Sequence, residues 1–174
     1  MHGPSDTRRP HVDAQQPGQG KFYFALFYVM STKEKNLSQV TTPSAETIGS
    51  KKIGIVVSEW NTEITESLFD GAYSTLIKAG ILRENITRWD VPGSFELTLG
   101  SQWMAQKEEI DAVISLGCVI QGETKHFDFI CQAVASGITD VSLKYDKPVI
   151  FGVLTTNDKK QAMERAGGKH GNKG

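Results

Sequence analysis

Cysteine is nearly absent from this 174-residue chain, which carries only Cys118 and Cys131. Two thiols cannot build a disulfide framework, and they fit a reducing compartment such as the cytoplasm. Long apolar runs are missing as well. The longest strongly apolar stretch, residues 22–30, falls far short of the roughly 20 residues that a membrane-spanning helix needs. Nor does charge of either sign dominate. Lys+Arg number 19 against 20 Asp+Glu, a net charge of -1, which argues against an acidic disordered chain and against a nucleic-acid binder driven by bulk positive charge. Several catalytic signatures are also lacking. No C-x-x-C or H-E-x-x-H offers a metal site, no G-x-S-x-G elbow presents a nucleophile, and neither G-x-G-x-x-G nor a P-loop lysine follows the first regular strand.

What is present divides near residue 52. Residues 1–21 are rich in Pro, Gly, Gln and charge. They have little to bury, so ordering them would not recover its entropy cost. Residues 22–29 have the apolar character of a signal-peptide core, but the segment before them is long and contains Asp6 and Asp13, and no small-residue cleavage site follows closely. Met30 then opens a second polar run and is the expected natural start, residues 1–29 being upstream-read sequence. The chain is accordingly read as a largely disordered extension over residues 1–52 and one domain over residues 53–174.

The domain is a repeated strand–helix unit. Residues 53–57 form an apolar run, and over residues 62–79 Ile64, Leu68, Ala72 and Leu76 recur every fourth position. Asn61 or Thr62 can cap this helix, Glu63 and Glu66 sit towards its positive end, Lys78 sits at its negative end, and Gly80 stops it. The unit recurs at residues 86–90 with 94–107, 112–116 with 127–143, and 149–154 with 159–166. This alternation predicts an α/β fold, a three-layer α/β/α sandwich on a four-stranded parallel sheet of the flavodoxin-like kind. A stretch between residues 36 and 52 is an additional candidate edge strand. Ligands of such sheets collect at the carboxyl ends of the strands, here the loops 58–61, 91–94, 117–126 and 155–158.

Seventeen glycines exceed the average usage of about 7%, with no collagen-like period, and several fall in these loops. In the third loop the backbone N–H groups of Gly122, Glu123 and Thr124 precede a helix start, where an anion is favoured. His126 lies in the first turn of that helix and is a candidate proton carrier. Arg165, near the end of the last helix, could grip the same anion bidentately. Trp60 and Phe95 could stack on a flat heterocycle. The plainer alternatives are a solvated loop histidine, a surface arginine and aromatic core filler.

Five segments carry a resemblance: I-G-I-V-V-S-E-W-N (53–61), V-P-G-S-F-E-L (91–97), D-A-V-I-S-L-G-C-V-I-Q-G-E-T-K-H-F (111–127), P-V-I-F-G-V-L-T (148–155) and Q-A-M-E-R-A-G-G-K-H-G-N-K-G (161–174). In order and spacing they resemble the 6,7-dimethyl-8-ribityllumazine synthase family. The resemblance implies the condensation of 5-amino-6-(D-ribitylamino)uracil with 3,4-dihydroxy-2-butanone 4-phosphate to the lumazine, phosphate and water, in riboflavin biosynthesis. It implies no metal, redox cofactor or covalent nucleophile. Carried over residue by residue, Trp60, where the family often has Phe, stacks on the pyrimidine ring. Asn61, Gly93, Ser94, Phe95 and Glu96 hold the ribityl chain and ring edge, and Val119 and Ile120 line the ring pocket. Gly122, Glu123, Thr124 and Arg165 receive the phosphate, and His126 moves protons, which makes His126 and Arg165 the catalytic pair. Phe151 and Lys173 resemble residues that reach a site from the neighbouring subunit.

The same resemblance implies a homo-oligomer, a pentamer that in some members assembles into a sixty-subunit icosahedral shell, with riboflavin synthase as a candidate partner. The uninterrupted turn at residues 167–172 resembles shell-forming members. Two features depart from the family pattern. Gln121 stands where many members carry Arg, and the family's C-terminal helix has no counterpart before Gly174, so that helix is expected to be missing here. Rival readings are a non-catalytic flavin or lumazine carrier and a shell-forming scaffold. The carrier would keep Trp60 and the ring pocket but could dispense with His126 and Arg165, and the scaffold would assemble without turnover.

Overall fold

The computed structural model describes residues 48–174. In chain order these form β1 (Ile53–Ser58), α1 (Thr62–Lys78), β2 (Ile86–Val91), α2 (Leu97–Ala105), β3 (Ala112–Ile120), α3 (His126–Tyr145), β4 (Val149–Thr156) and α4 (Lys159–Arg165). A short 3-10 turn, Arg83–Asn85, leads into β2, and a hairpin of β5 (Ala166–Gly168) and β6 (Gly171–Asn172) follows α4. The expected start at Met30 and the extension up to residue 47 lie outside the described residues. So does most of the candidate edge strand. Its described part, residues 48–52, is not a strand: the Lys51 N–H donates to the Ile48 carbonyl at 2.9 Å, closing a turn.

All four main strands are parallel, in the order β2-β1-β3-β4. Strand period two then sorts the core into two layers. Ile53, Ile55 and Val57 of β1, with Ala112, Leu116 and Cys118 of β3, pack against Ile64, Leu68 and Ala72 of α1 and Ala162 of α4. On the opposite face Val56 and Val113 meet Leu97 and Met104 of α2 and Val134, Ile138 and Val141 of α3. The predicted α/β/α sandwich is therefore present. Ile55, Leu68 and Leu116 are completely buried, and each such side chain contributes about 1.5–3 kcal/mol relative to its exposed state.

The end of α1 follows its sequence signal. Gly80 takes a φ of 95°, its N–H donates to the Ile77 carbonyl, and the Ile81 N–H reaches back to Leu76, so the last carbonyls are satisfied as the helix stops. On the outside of the same layer Glu66 of α1 receives two guanidinium N–H groups from Arg88 of β2, one at 2.9 Å. Arg88 also pairs with Asp90 at 2.7 Å and lies 4.3 Å over the Phe69 ring.

Several boundaries differ from the sequence reading, β4 running on to Thr156 among them. Residues 117–120, read as loop, extend β3, because Val119 and Ile120 pair with Thr155 and Thr156 of β4. β-branched residues on both partners favour that extension. The second helix begins at Leu97 instead of residue 94, since the Ser94 carbonyl accepts the Leu97 N–H at 3.2 Å in a turn that precedes the helix. The turn read at residues 167–172 is also more structured than expected, being the β5–β6 hairpin. It is tied to α1 by the Asn172 side-chain amide, which donates to the Ser67 carbonyl, and by the Ser67 hydroxyl, which donates to the Ala166 carbonyl.

Candidate active site

The carboxyl ends of β1, β2 and β3 meet in one cavity of about 730 Å³. β1 is the strand from which the chain departs first to one side and later to the other. A parallel sheet opens a crevice at such a point.

From β1 come Trp60 and Asn61. The loop that carries them is laced to the end of β2: the Glu59 N–H donates to the Val91 carbonyl at 2.8 Å and the Trp60 N–H to Pro92 at 3.1 Å. Trp60 stands at the rim, 72% exposed, with a ring face free to meet a ligand. Asn61 occupies the N-cap position of α1, yet its side chain does not cap the helix. Only its carbonyl starts the helix, accepting from Ile64 and Thr65. Its amide Nδ2 instead donates across the sheet to the Cys118 carbonyl at 3.0 Å. The backbone there is left-handed, φ 64°, a conformation that asparagine tolerates better than most residues.

From the β2 end come Gly93, Ser94, Phe95 and Glu96. The Glu96 carboxylate folds back over Gly93, where a Cβ would lie 3.1 Å from Oε2. Phe95 is exposed and Ser94 buried. From β3 come Cys118, Val119 and Ile120, and from the start of α3 His126 and Ile130. His126 is the first residue of its helix and is exposed, while Ile130, one turn on, continues the same wall. Burial pushes the Cys118 thiol up to about 11, so this thiol stays neutral and unreactive near neutral pH.

Cys118 and Ile130 were not anticipated. Ile130 was legible in principle, because it lies four positions after His126 on one helix face. The remaining candidates lie elsewhere. Gly122, Glu123 and Thr124 form the exposed segment before His126; nothing would lie within 4 Å of a Cβ on Gly122, and the Thr124 hydroxyl accepts the His126 N–H at 3.4 Å. Arg165 ends α4, where its guanidinium donates to the Gln161 carbonyl of its own helix at 3.0 Å. Phe151 sits on the edge strand β4, 42% exposed, and Lys173 follows β6, its N–H donating to the Arg165 carbonyl.

A parallel α/β sheet with an apolar cavity at its carboxyl edge, rimmed by an aromatic ring, a carboxylate and an imidazole, defines a small-molecule site in a flavodoxin-like protein. The sequence model described as 6,7-dimethyl-8-ribityllumazine synthase matches residues 50–174. A protein of that name from Cytophaga hutchinsonii is 62% identical over 145 residues, 83% of this chain and 91% of its own length. Those from Flavobacterium johnsoniae and Christiangramia forsetii are 53% and 54% identical, each over 83% of this chain and over 76% and 87% of their own lengths. The chain belongs to the 6,7-dimethyl-8-ribityllumazine synthase family.

Proposed function

We propose that the chain catalyses the reaction its family is named for, joining 5-amino-6-(D-ribitylamino)uracil to 3,4-dihydroxy-2-butanone 4-phosphate with loss of phosphate and water. The observation that carries this reading is the convergence of Trp60, Glu96 and His126 on one cavity, since a flat ring, a polyol and a proton transfer each need one of them. The Trp60 ring stacks on the pyrimidine. Asn61, Gly93, Ser94, Phe95 and Glu96 receive the ribityl chain and ring edge, the carboxylate accepting from hydroxyls. Val119 and Ile120 present strand-end backbone to the ring. His126 carries protons between the amine, the imine and the departing groups. Holding two reactants together supplies much of the acceleration, and proton transfer adds about 10²-fold or more.

The phosphate half of the substrate falls to Gly122, Glu123, Thr124 and Arg165. The first three precede His126 along the chain, and Arg165 ends the helix that follows β4. The contact with Gln161 uses one terminal nitrogen of the Arg165 guanidinium, and its other N–H donors serve the phosphate. Phe151 and Lys173 serve the pocket of an adjacent subunit in a homo-oligomer, as a pentamer or a larger shell. That arrangement is supported by exposed apolar side chains on α2, α3 and β4, among them Trp103, Phe129 and Phe151. Residues 53–174 make up the catalytic domain, residues 1–52 an extension, and the enzyme works in the cytoplasm, where riboflavin synthase could take its product.

One experiment tests the reaction. The purified chain is mixed with both substrates while lumazine absorbance and phosphate release are followed. Turnover supports the enzyme, and assembly or lumazine binding without turnover favours a scaffold or a carrier. Sedimentation then reads the subunit number.

A further inference from the structure

Arg165 is the last residue of α4, a helix of only seven residues. A helix so short has little stability of its own, and fraying begins at its ends, so a guanidinium carried there would shift with the backbone beneath it. The fold holds that backbone from outside. The β5–β6 hairpin turns back on the helix, the His170 N–H donating to the Glu164 carbonyl at 2.8 Å and the Lys173 N–H to the Arg165 carbonyl at 2.9 Å. The next carbonyl, that of Ala166, accepts the Ser67 hydroxyl of α1. Asn172, paired opposite Ala166 in the hairpin, donates its side-chain amide to the Ser67 carbonyl, and its Oδ1 accepts the Gly174 N–H at 2.8 Å. Ser67 and Asn172 thus form a two-way clasp between the end of α4 and a helix anchored in the core by Ile64 and Leu68.

Gly71 adds a second, independent observation. It lies inside α1, one turn beyond Ser67, where a Cβ would fall 2.4–2.6 Å from Cγ, Oδ1 and Nδ2 of Asn172. Glycine in a helix interior is less stable than alanine, and α1 itself gains nothing from it. Bare backbone at this one position is what lets the Asn172 amide reach Ser67. Neither Ser67, Gly71 nor Asn172 lines the cavity. We propose that Ser67 and Asn172 are positioning residues for Arg165, with Gly71 leaving room for Asn172: the clasp fixes the end of α4 so that the guanidinium meets the substrate phosphate at one place. The inference rests on the reading of Arg165 as a phosphate ligand.

The test is steady-state kinetics of the full chain with each substrate varied in turn, beside thermal unfolding of the same variants. In Asn172→Ala and Ser67→Ala the KM for the phosphorylated substrate should rise about 3- to 10-fold, with kcat and the KM for the pyrimidine within about twofold. Gly71→Ala should raise the same KM although it keeps every hydrogen-bonding group and improves α1 as a helix. Ser67→Thr, which retains the hydroxyl, should behave as the unaltered chain. In an Arg165→Ala background Asn172→Ala should add nothing further, because the clasp acts through that guanidinium. Additive effects in that double variant overturn the proposal. So do unchanged constants in Asn172→Ala and Gly71→Ala, and losses that fall on both substrates alike. If Arg165→Ala leaves the KM for the phosphorylated substrate unchanged, the phosphate reading fails and the clasp has nothing to position. If the unaltered chain does not turn over, the lumazine reading fails by itself, and titration with inorganic phosphate decides the clasp. Binding weakened in both Arg165→Ala and Asn172→Ala supports it, and binding unaffected by Asn172→Ala, or absent from the unaltered chain, overturns it.

Discussion

Asn61 Nδ2 donates to the Cys118 carbonyl at 3.0 Å, so the residue that opens α1 also fastens the loop after β1 to the carboxyl end of β3. Two walls of the cavity are held in register by this one amide, and the left-handed backbone at φ 64° is part of the arrangement. Replacing Asn61 by Ala removes the bond and leaves a residue ill suited to that φ, whereas Gly restores the backbone freedom alone. Urea denaturation should show Asn61→Ala less stable by about 1–2 kcal/mol and Asn61→Gly by less. Equal losses would show that the backbone conformation contributes nothing.

His126 and Arg165 should separate kinetically. With His126→Ala, kcat should fall about 10²-fold or more while both substrates still bind. With Arg165→Ala, the KM for the phosphorylated substrate should rise and that for the pyrimidine should not. Steady-state kinetics with each substrate varied in turn checks both, and unchanged constants in the two variants would reject the assigned roles.

Glu66 makes stability depend on acid. Hydrogen bonding from Arg88 holds its carboxyl below the ordinary carboxylate value, against the opposing effect of burial. A carboxyl whose folded value is lowered binds fewer protons folded than unfolded, so its contribution is present above the unfolded value near 4.5 and fades as pH falls through the lowered folded value. Because the Glu66 side chain is 44% exposed, solvent limits the pair to about 0.2–1 kcal/mol. Denaturation of Glu66→Gln beside the unaltered chain should show that deficit at pH 7 and a closing gap below pH of about 4.

Cys118 should resist alkylation. Its thiol is buried at 2% exposure and its ionisation is pushed up to about 11, so little thiolate exists near neutrality. Treatment with iodoacetamide at pH of about 8 followed by mass spectrometry should leave Cys118 unmodified until urea is added, since that pH lies well below the thiol's ionisation. Rapid labelling of the folded chain would mean that the cavity wall opens.

Much of the fold was legible because the signals are local. The β-branched run of Ile53, Ile55, Val56 and Val57 and the four-residue period of Ile64, Leu68 and Ala72 each fix an element without reference to the rest. The true end of β3 was hidden by Gly117. Glycine in an apolar run suggests a turn, and only pairing with β4 keeps residues 117–120 extended. The cross-sheet bond of Asn61 was hidden for the same reason: a side chain that suits a cap gives no sign of a partner 57 positions away. At the site, the resemblance named most of the residues that line the cavity, from Trp60 to His126, but not Cys118 or Ile130.

The strand order has a consequence for how the chain is made. Among the described strands β1 leaves the ribosome first and yet lies between β2 and β3. Its second edge stays unpaired until residue 116 has followed, since Val57 pairs with Leu116. The nascent chain must therefore carry an open apolar strand edge until β3 has been made. Parallel pairing over such separations is slow to close. The three strand tips that build the cavity come into place together when β3 docks, so the ligand site and the first lasting core are born in a single event.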